Sequence, residues 1–388
     1  MIDRVHFEGF KSLHDVTLDL GRFTVLVGPN GCGKSSVLEG IHLLSQTGLI
    51  RKSATRRTQG ILGAFGGRRA PWRLASSPPP ATIKLAARQA GGDELCVSIE
   101  LPGTASDSDR RAVFEVSLNG PEGSLVTNVP SKEGQRGLDL LRVRRFVPVV
   151  YLHLDANEMT RTSIPKDEKP RMDADGAGLA STLAWMKGAA EDELAEITSG
   201  LATIVPGVRR IRTLRESVRR KRTEQIDIDG QPLWRPVEEA LLGDRFEIEF
   251  DDKRVVPADL LSEGTVLALG LLTKLREPNR ARLVLLDDID RGLHIEAQAK
   301  LVGVLRDLLA LDPELQIVCT THSPYLLDRF EPAEVRVLAL DEHRHTRACA
   351  LTEHPDFETW KFGTQTGELW AALGHAWVSA RRGAGGDK

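Results

Sequence analysis

Gly28-Pro29-Asn30-Gly31-Cys32-Gly33-Lys34-Ser35-Ser36 is the stretch on which the reading of this chain turns. It fills the pattern G-x-x-x-x-G-K-S completely. Glycines at 28, 31 and 33 permit a tight loop whose backbone N–H groups converge on phosphate oxygens. Lys34 is placed to neutralise the β and γ phosphates and Ser35 to offer a hydroxyl to Mg²⁺. The helix that opens there aims its positive end at the same anion. The flanks agree with this. Residues 23–27 are a continuous apolar run, as expected of a strand buried on both faces, and Val37, Leu38, Ile41 and Leu44 recur at helical spacing behind the loop.

A second acidic element suits the same site. Leu283-Val284-Leu285-Leu286 is a buried strand that ends in Asp287 and Asp288. In open α/β sheets the carboxyl ends of the strands line the ligand crevice. There Asp287 would hold the Mg²⁺ shell together with Ser35, and Asp288 would polarise the attacking water. Such catalysis is mostly positioning and charge stabilisation.

Further motifs extend the pattern. Gly28-Pro29-Asn30-Gly31 resembles the phosphate loop of the ABC and SMC-like ATPases, with Cys32 where serine is usual; a small residue filling a small space is the reading taken. Leu261-Ser262-Glu263-Gly264-Thr265 resembles the signature of the RecF- and SMC-like relatives, and the segment 261–272 is expected to be a loop running into an apolar helix. Asp290-Arg291-Gly292-Leu293-His294 resembles their D-loop, and Thr321-His322-Ser323-Pro324 their switch-histidine loop after the strand at 317–320. The opening Phe7 to Leu13 wording is of the same kind. On these residues the chain resembles ABC-type ATPases of the SMC/RecF/OLD-like clade, as a stand-alone head.

That resemblance implies ATP and Mg²⁺ as ligands and an ATPase reaction. It implies a homodimer of heads around sandwiched ATP, with Ser262, Glu263 and Gly264 touching the nucleotide of the other head. Asp290 and His294 would lie at that interface, and His322 would join Asp288 in catalysis. Relatives carry glutamate at the Asp288 position. A displacement of about 1 Å can cost on the order of a hundredfold in rate, so either hydrolysis is slow or the strand sits closer, and both stay open. The glutamine-loop role has no glutamine to fill it; Asp155 and Asn157 are its candidates.

The strand and helix pattern predicts an α/β chain with a mainly parallel core sheet, an antiparallel β-subdomain and an inserted helical lobe. A single head over 1–388 is expected, with the nucleotide core at 1–50 and 261–355 and the β-subdomain with a basic loop at 51–160. The helical lobe at 161–260 carries the signature at its end, and a helix and tail occupy 356–388. Within these, helices are expected over 173–201 and 366–378.

Composition bounds the rest. The chain has 388 residues, a formal net charge of −3 and four scattered cysteines. No Cys-x-x-Cys pair indicates a zinc or disulfide framework, and a reducing cytoplasm is the expected home. Apolar runs such as 146–154 and 266–272 fall short of the roughly 18 residues that a membrane helix needs, so no membrane partner is expected. Residues 1–4 lack the apolar core of a signal peptide. Positive charge gathers in 51–73 and in 208–222, the latter with seven arginines and a lysine against one glutamate. If 208–222 were helical, Arg212, Arg215, Arg219 and Arg222 would share a face suited to DNA phosphates; a solvated, salt-bridged surface is the competing reading.

Three functions follow. The first is a defence-type switch, in which ATP-dependent head dimerisation controls a separately encoded nuclease or toxin against phage. The second is a repair or genome-maintenance ATPase that binds DNA directly. The third, a transporter subunit, is disfavoured by the SMC-like wording. The absence of sustained heptads excludes a long coiled coil, and the 68 residues after the strand at 317–320 are expected to be too few for an OLD-type nuclease domain.

Overall fold

The computed structural model describes residues 1–47, 82–100, 113–120, 123–129, 147–228, 231–278, 280–360 and 363–380. The basic loop expected at 51–73 and the end of the tail lie outside them. The described chain divides into two compact units. One comprises residues 1–151, 281–290 and 305–388, and the other 152–280 and 291–304.

The first unit holds two sheets. In the antiparallel sheet, β1 (Ile2–Phe10) lies between β2 (Leu13–Asp19) and β4 (Thr82–Gln89), and β5 (Glu94–Glu100), β6 (Val113–Gly120) and β7 (Gly123–Val129) follow in order. β2 shows why: Leu13, Val16 and Leu18 are buried while its other residues face water, the alternation of a half-covered strand. Strands β1 and β2 thus join the β-subdomain rather than the nucleotide core expected at 1–50. The sequence reading had also passed over β7.

The other sheet runs β15-β14-β3-β13-β12-β8. β3 (Phe23–Val27), β12 (Leu283–Leu286), β13 (Gln316–Thr320) and β14 (Val335–Leu340) are parallel, while β15 (Thr346–Ala350) is antiparallel to β14. β8 (Val149–Leu152) flanks β12. Every residue of β3, β12 and β13 is buried, as two-sided coverage requires. Gln316, fully buried, donates to the carbonyls of Ile2 and Gly21 and accepts the Ile2 N–H. Its amide thereby ties the two sheets together, and no group is left unpaired. Helix α1 (Lys34–Thr47) buries Val37, Leu38, Ile41 and Leu44 against a core that includes Phe7 and Val318.

The second unit contains α2 (Ala156–Thr160), α3 (Leu179–Ala189), α4 (Glu191–Ile204), a β-ribbon and α5 (Glu263–Arg276). The ribbon pairs β9 (Val208–Ile228) with β10 (Gln231–Phe250), and short β11 (Val255–Pro257) adds to the base of β10. Helix α6 (Ile295–Leu311) begins in this unit and ends in the first.

Four expectations are corrected here. The lobe at 161–260 is not simply helical, because the ribbon occupies about half of it. Residues 208–222 form a strand, whose period of two puts Arg212 on one face and Arg215 and Arg219 on the other, so the four arginines do not share a helical face. The helix expected over 173–201 is two helices separated at Ala190, which ends α3 with φ −154°. The closing helix is likewise two, α9 (Thr366–Leu373) and α10 (Ala376–Ala380), after α7 (Pro324–Leu327) and α8 (Phe357–Trp360); Gly374 at φ 60° separates them. In addition, 261–280 and 291–304 belong to the second unit rather than to the nucleotide core, since α5 packs its apolar side on α4 and α2.

Candidate functional site

In the first unit, β3 ends at Val27 and the chain turns through the glycine loop into α1. Gly28 (φ 147°) and Gly33 (φ 103°) adopt backbone conformations that side chains rarely take. A Cβ at Gly28 would stand 2.1 Å from the Leu338 carbonyl, and one at Gly33 would stand 2.5 Å from Thr346 Oγ1. Both positions thus require glycine on two grounds. Thr346 reinforces the loop by donating to the Cys32 carbonyl at 2.9 Å.

Lys34 is buried, and its Nζ donates to the carbonyls of Gly28 and Pro29 at 2.8 and 3.1 Å. The ammonium therefore sits over the glycine loop, bound to two of its carbonyls. Cys32 is buried in the apolar cluster, and burial pushes its thiol above the usual range. It remains protonated and unreactive, in keeping with a space-filling role.

Asp287 and Asp288 leave the end of β12 beside the end of β13. Thr320 Oγ1 donates to Asp287 Oδ1 at 2.6 Å and accepts the Asp288 N–H at 2.8 Å. Tyr151, on β8, donates its hydroxyl to Asp287 Oδ2 at 3.2 Å. Asp288 takes φ 50°, a region that aspartate enters more readily than glutamate. This turn gives a local reason for the shorter acid. His322 Nε2 lies 3.8 Å from Asp288 Oδ1. Thr321 Oγ1 donates to Asp290 Oδ1 at 2.6 Å, which joins the D-loop aspartate to the switch loop.

One cavity of about 350 Å³ collects these groups: Asn30, Gly31, Gly33, Lys34, Ser35 and Ser36 with Asp287, Asp288 and His322. The donors suited to a cation are hard oxygens, a hydroxyl on Ser35 and carboxylates. Among the described residues no cluster of three His, Cys, Asp or Glu could hold a metal alone. That donor set fits Mg²⁺, which is commonly held by one or two protein oxygens plus substrate phosphates.

The second unit carries residues 261–265, expected to be the signature. Ser262 caps α5, its Oγ accepting the Thr265 N–H at 3.3 Å. Glu263 pairs with Arg291 at 2.7 Å. A Cβ on Gly264 would meet the Gly292 carbonyl at 2.2 Å, so signature and D-loop backbones touch. His294 starts the turn into α6, its carbonyl accepting the Gln298 N–H. Asp155 is an N-cap: its Oδ1 accepts the Asn157 N–H at 2.8 Å in the first turn of α2.

Sequence reasoning missed Thr320 and Tyr151 as parts of the site. Thr320 is a hydroxyl residue at the end of a strand buried throughout, and that placement was the available signal for it; Tyr151 stands one residue before the end of the only partly buried β8. The basic stretch also looks different in three dimensions. Glu249 draws Arg209 (3.1 Å) and Arg210 (2.8 Å), with Arg212 at 3.9 Å, and Asp244 draws Arg215 at 3.6 Å. Much of the positive charge at the ribbon base is therefore compensated.

Comparison with known proteins bears on the family and the fold. Residues 1–89 match the family model described as "AAA ATPase domain". Residues 160–328 match the one described as "AAA domain, putative AbiEii toxin, Type IV TA system". The Septu protein PtuA of Bacillus thuringiensis is 37% identical over 60 residues, which are 16% of this chain and 14% of that protein. The DNA replication and repair protein RecF of Azotobacter vinelandii is 42% identical over 62 residues, 16% of each chain. These matches thus span only about a sixth or less of the relatives' own length. Among solved structures, an SMC head bound to the C-winged helix domain of ScpA superimposes with a TM-score of 0.51 at 17% identity, over 90% of this chain and 98% of that one. At that identity the likeness establishes the fold. Among the described residues no helix is long and apolar enough to cross a membrane.

Proposed function

From the premise that this chain is an SMC/RecF-like ATPase with an SMC-head fold, we propose that it binds and hydrolyses ATP as a switch between separate and paired heads. The observation that carries the reading is the shared cavity of Lys34, Ser35, Asp287, Asp288 and His322. The loop and Lys34 bind the phosphates, and Ser35 and Asp287 would hold Mg²⁺, which would supply neutralisation of the phosphate charge. Asp288 orients and deprotonates the attacking water, and His322 responds to the γ-phosphate. Ser262, Glu263 and Gly264 close the site of a second copy, with Asp290 and His294 at the same interface. Asp155 and Asn157 keep the glutamine-loop assignment as candidates only.

The switch most economically serves a separately encoded effector, a nuclease or toxin, in cytoplasmic anti-phage defence. The local likeness to a Septu protein supports that setting. Direct DNA binding through 208–222 loses support, because Glu249 and Asp244 engage four of its arginines.

The test is association measured by light scattering with and without Mg²⁺–ATP. Asp288→Asn keeps a side chain that tolerates the φ 50° turn. It is expected to lower kcat by about 10²-fold or more and to accumulate an ATP-bound dimer. A variant that binds ATP yet stays monomeric at all protein concentrations would refute the switch.

A further inference from the structure

The Asp287 carboxylate is held from two sides within the first unit. Thr320 donates to Oδ1 at 2.6 Å and Tyr151 to Oδ2 at 3.2 Å. Tyr151 is one of only two tyrosines in the chain, and nothing in the phosphate-loop pattern calls for it. Its ring lies beside that of His42 on α1, with centroids 5.9 Å apart. The phenol is thus wedged between the helix behind the phosphate loop and the acidic strand end.

The Tyr151 O–H occupies only one of the two lone pairs on Oδ2. Without donors, the carboxylate could turn about its terminal bond, and cation binding would have to stop that motion. With a donor on each oxygen the orientation is set beforehand.

We propose that Tyr151 is a positioning residue for the divalent cation, pinning the Asp287 carboxylate so that the nucleotide site holds Mg²⁺–ATP more tightly than ATP alone. This rests on the reading of Asp287 as the cation carboxylate. Loss of such an outer partner typically weakens metal affinity by about 10–100-fold, whereas a purely structural bond would change stability and leave the cation response intact.

The readout is the ratio of ATP dissociation constants measured in EDTA and in saturating Mg²⁺. Tyr151→Phe is expected to shrink that ratio about tenfold and to leave the value in EDTA unchanged. An unchanged ratio in the folded variant, or an equal loss in both conditions, overturns the proposal. Asp287→Asn separates the two readings. If that variant keeps the wild-type ratio, the assignment of Asp287 itself fails. If it loses the ratio while Tyr151→Phe keeps it, only the role of Tyr151 falls. Should Tyr151→Phe not fold, 3-fluorotyrosine in a Tyr325→Phe background reports on Tyr151 alone. Its ¹⁹F resonance is expected to shift when Mg²⁺ is added to the ATP-bound protein, and a resonance that does not move refutes the link.

Discussion

The Thr320 hydroxyl accepts the backbone N–H of Asp288 at 2.8 Å while it donates to the side chain of Asp287 at 2.6 Å. One hydroxyl at the end of β13 therefore holds both acids at the end of β12, including the turn in which Asp288 has φ 50°. Thr320→Val keeps the shape and removes both bonds. Stability is expected to fall by about 1–3 kcal/mol, because a carboxylate oxygen and an amide lose their partner. kcat should fall further than that stability loss explains, while Thr320→Ser restores both. Denaturant titration and steady-state ATPase assays of the pair check this.

Lys34→Ala tests the phosphate loop. The ammonium contacts two loop carbonyls and is the buried cation of the cavity. Nucleotide binding by calorimetry should vanish in this variant, and normal ATP affinity would refute the site.

The signature can be tested apart from binding. Ser262→Arg should leave ATP affinity intact and prevent ATP-dependent pairing. Gly264→Ala should do the same at an added cost in stability of about 1–3 kcal/mol, typical of overpacking, because its new methyl would meet the Gly292 carbonyl at 2.2 Å. Analytical ultracentrifugation with Mg²⁺–ATP, beside thermal melts, separates the two effects.

Glu249 gives a pH prediction. The Arg210 guanidinium first, then Arg209 and Arg212, hold its carboxyl below the usual range. A carboxylate depressed in the folded state stabilises above its unfolded pKa, near 4.3, and that contribution is lost as pH falls through the folded value. Glu249→Gln should therefore melt lower than wild type at pH 7, and the gap should close in acid. A gap that is constant from pH 7 down to about 3 would remove the ion pairs from the stability of the ribbon.

The buried strands were legible because two-sided burial leaves mostly apolar runs: Phe23–Val27, Leu283–Leu286 and Gln316–Thr320 are each buried throughout, with only Thr24, Gln316 and Thr320 polar. Ser262 was legible as the start of a helix, and it caps one. The basic stretch was not legible. Eight cations in fifteen residues mask any apolar period, and β9 exists through its register with β10, where Arg210 stands opposite Glu249 and Arg215 opposite Asp244. That pairing is a property of two strands and is absent from either alone.

The sequence by itself determined the phosphate loop, its strand and its helix, since glycine dihedrals and backbone N–H groups act over a few neighbouring residues. It also set the order of the signature, acidic strand and switch histidine. Only the tertiary structure decided what surrounds Asp287. Tyr151 comes from 136 positions away and Thr320 from 33, and both arrive because β8 and β13 flank β12. Strand order depends on which apolar surfaces bury one another across the whole unit, so the donors that orient the carboxylate are fixed by packing at long range.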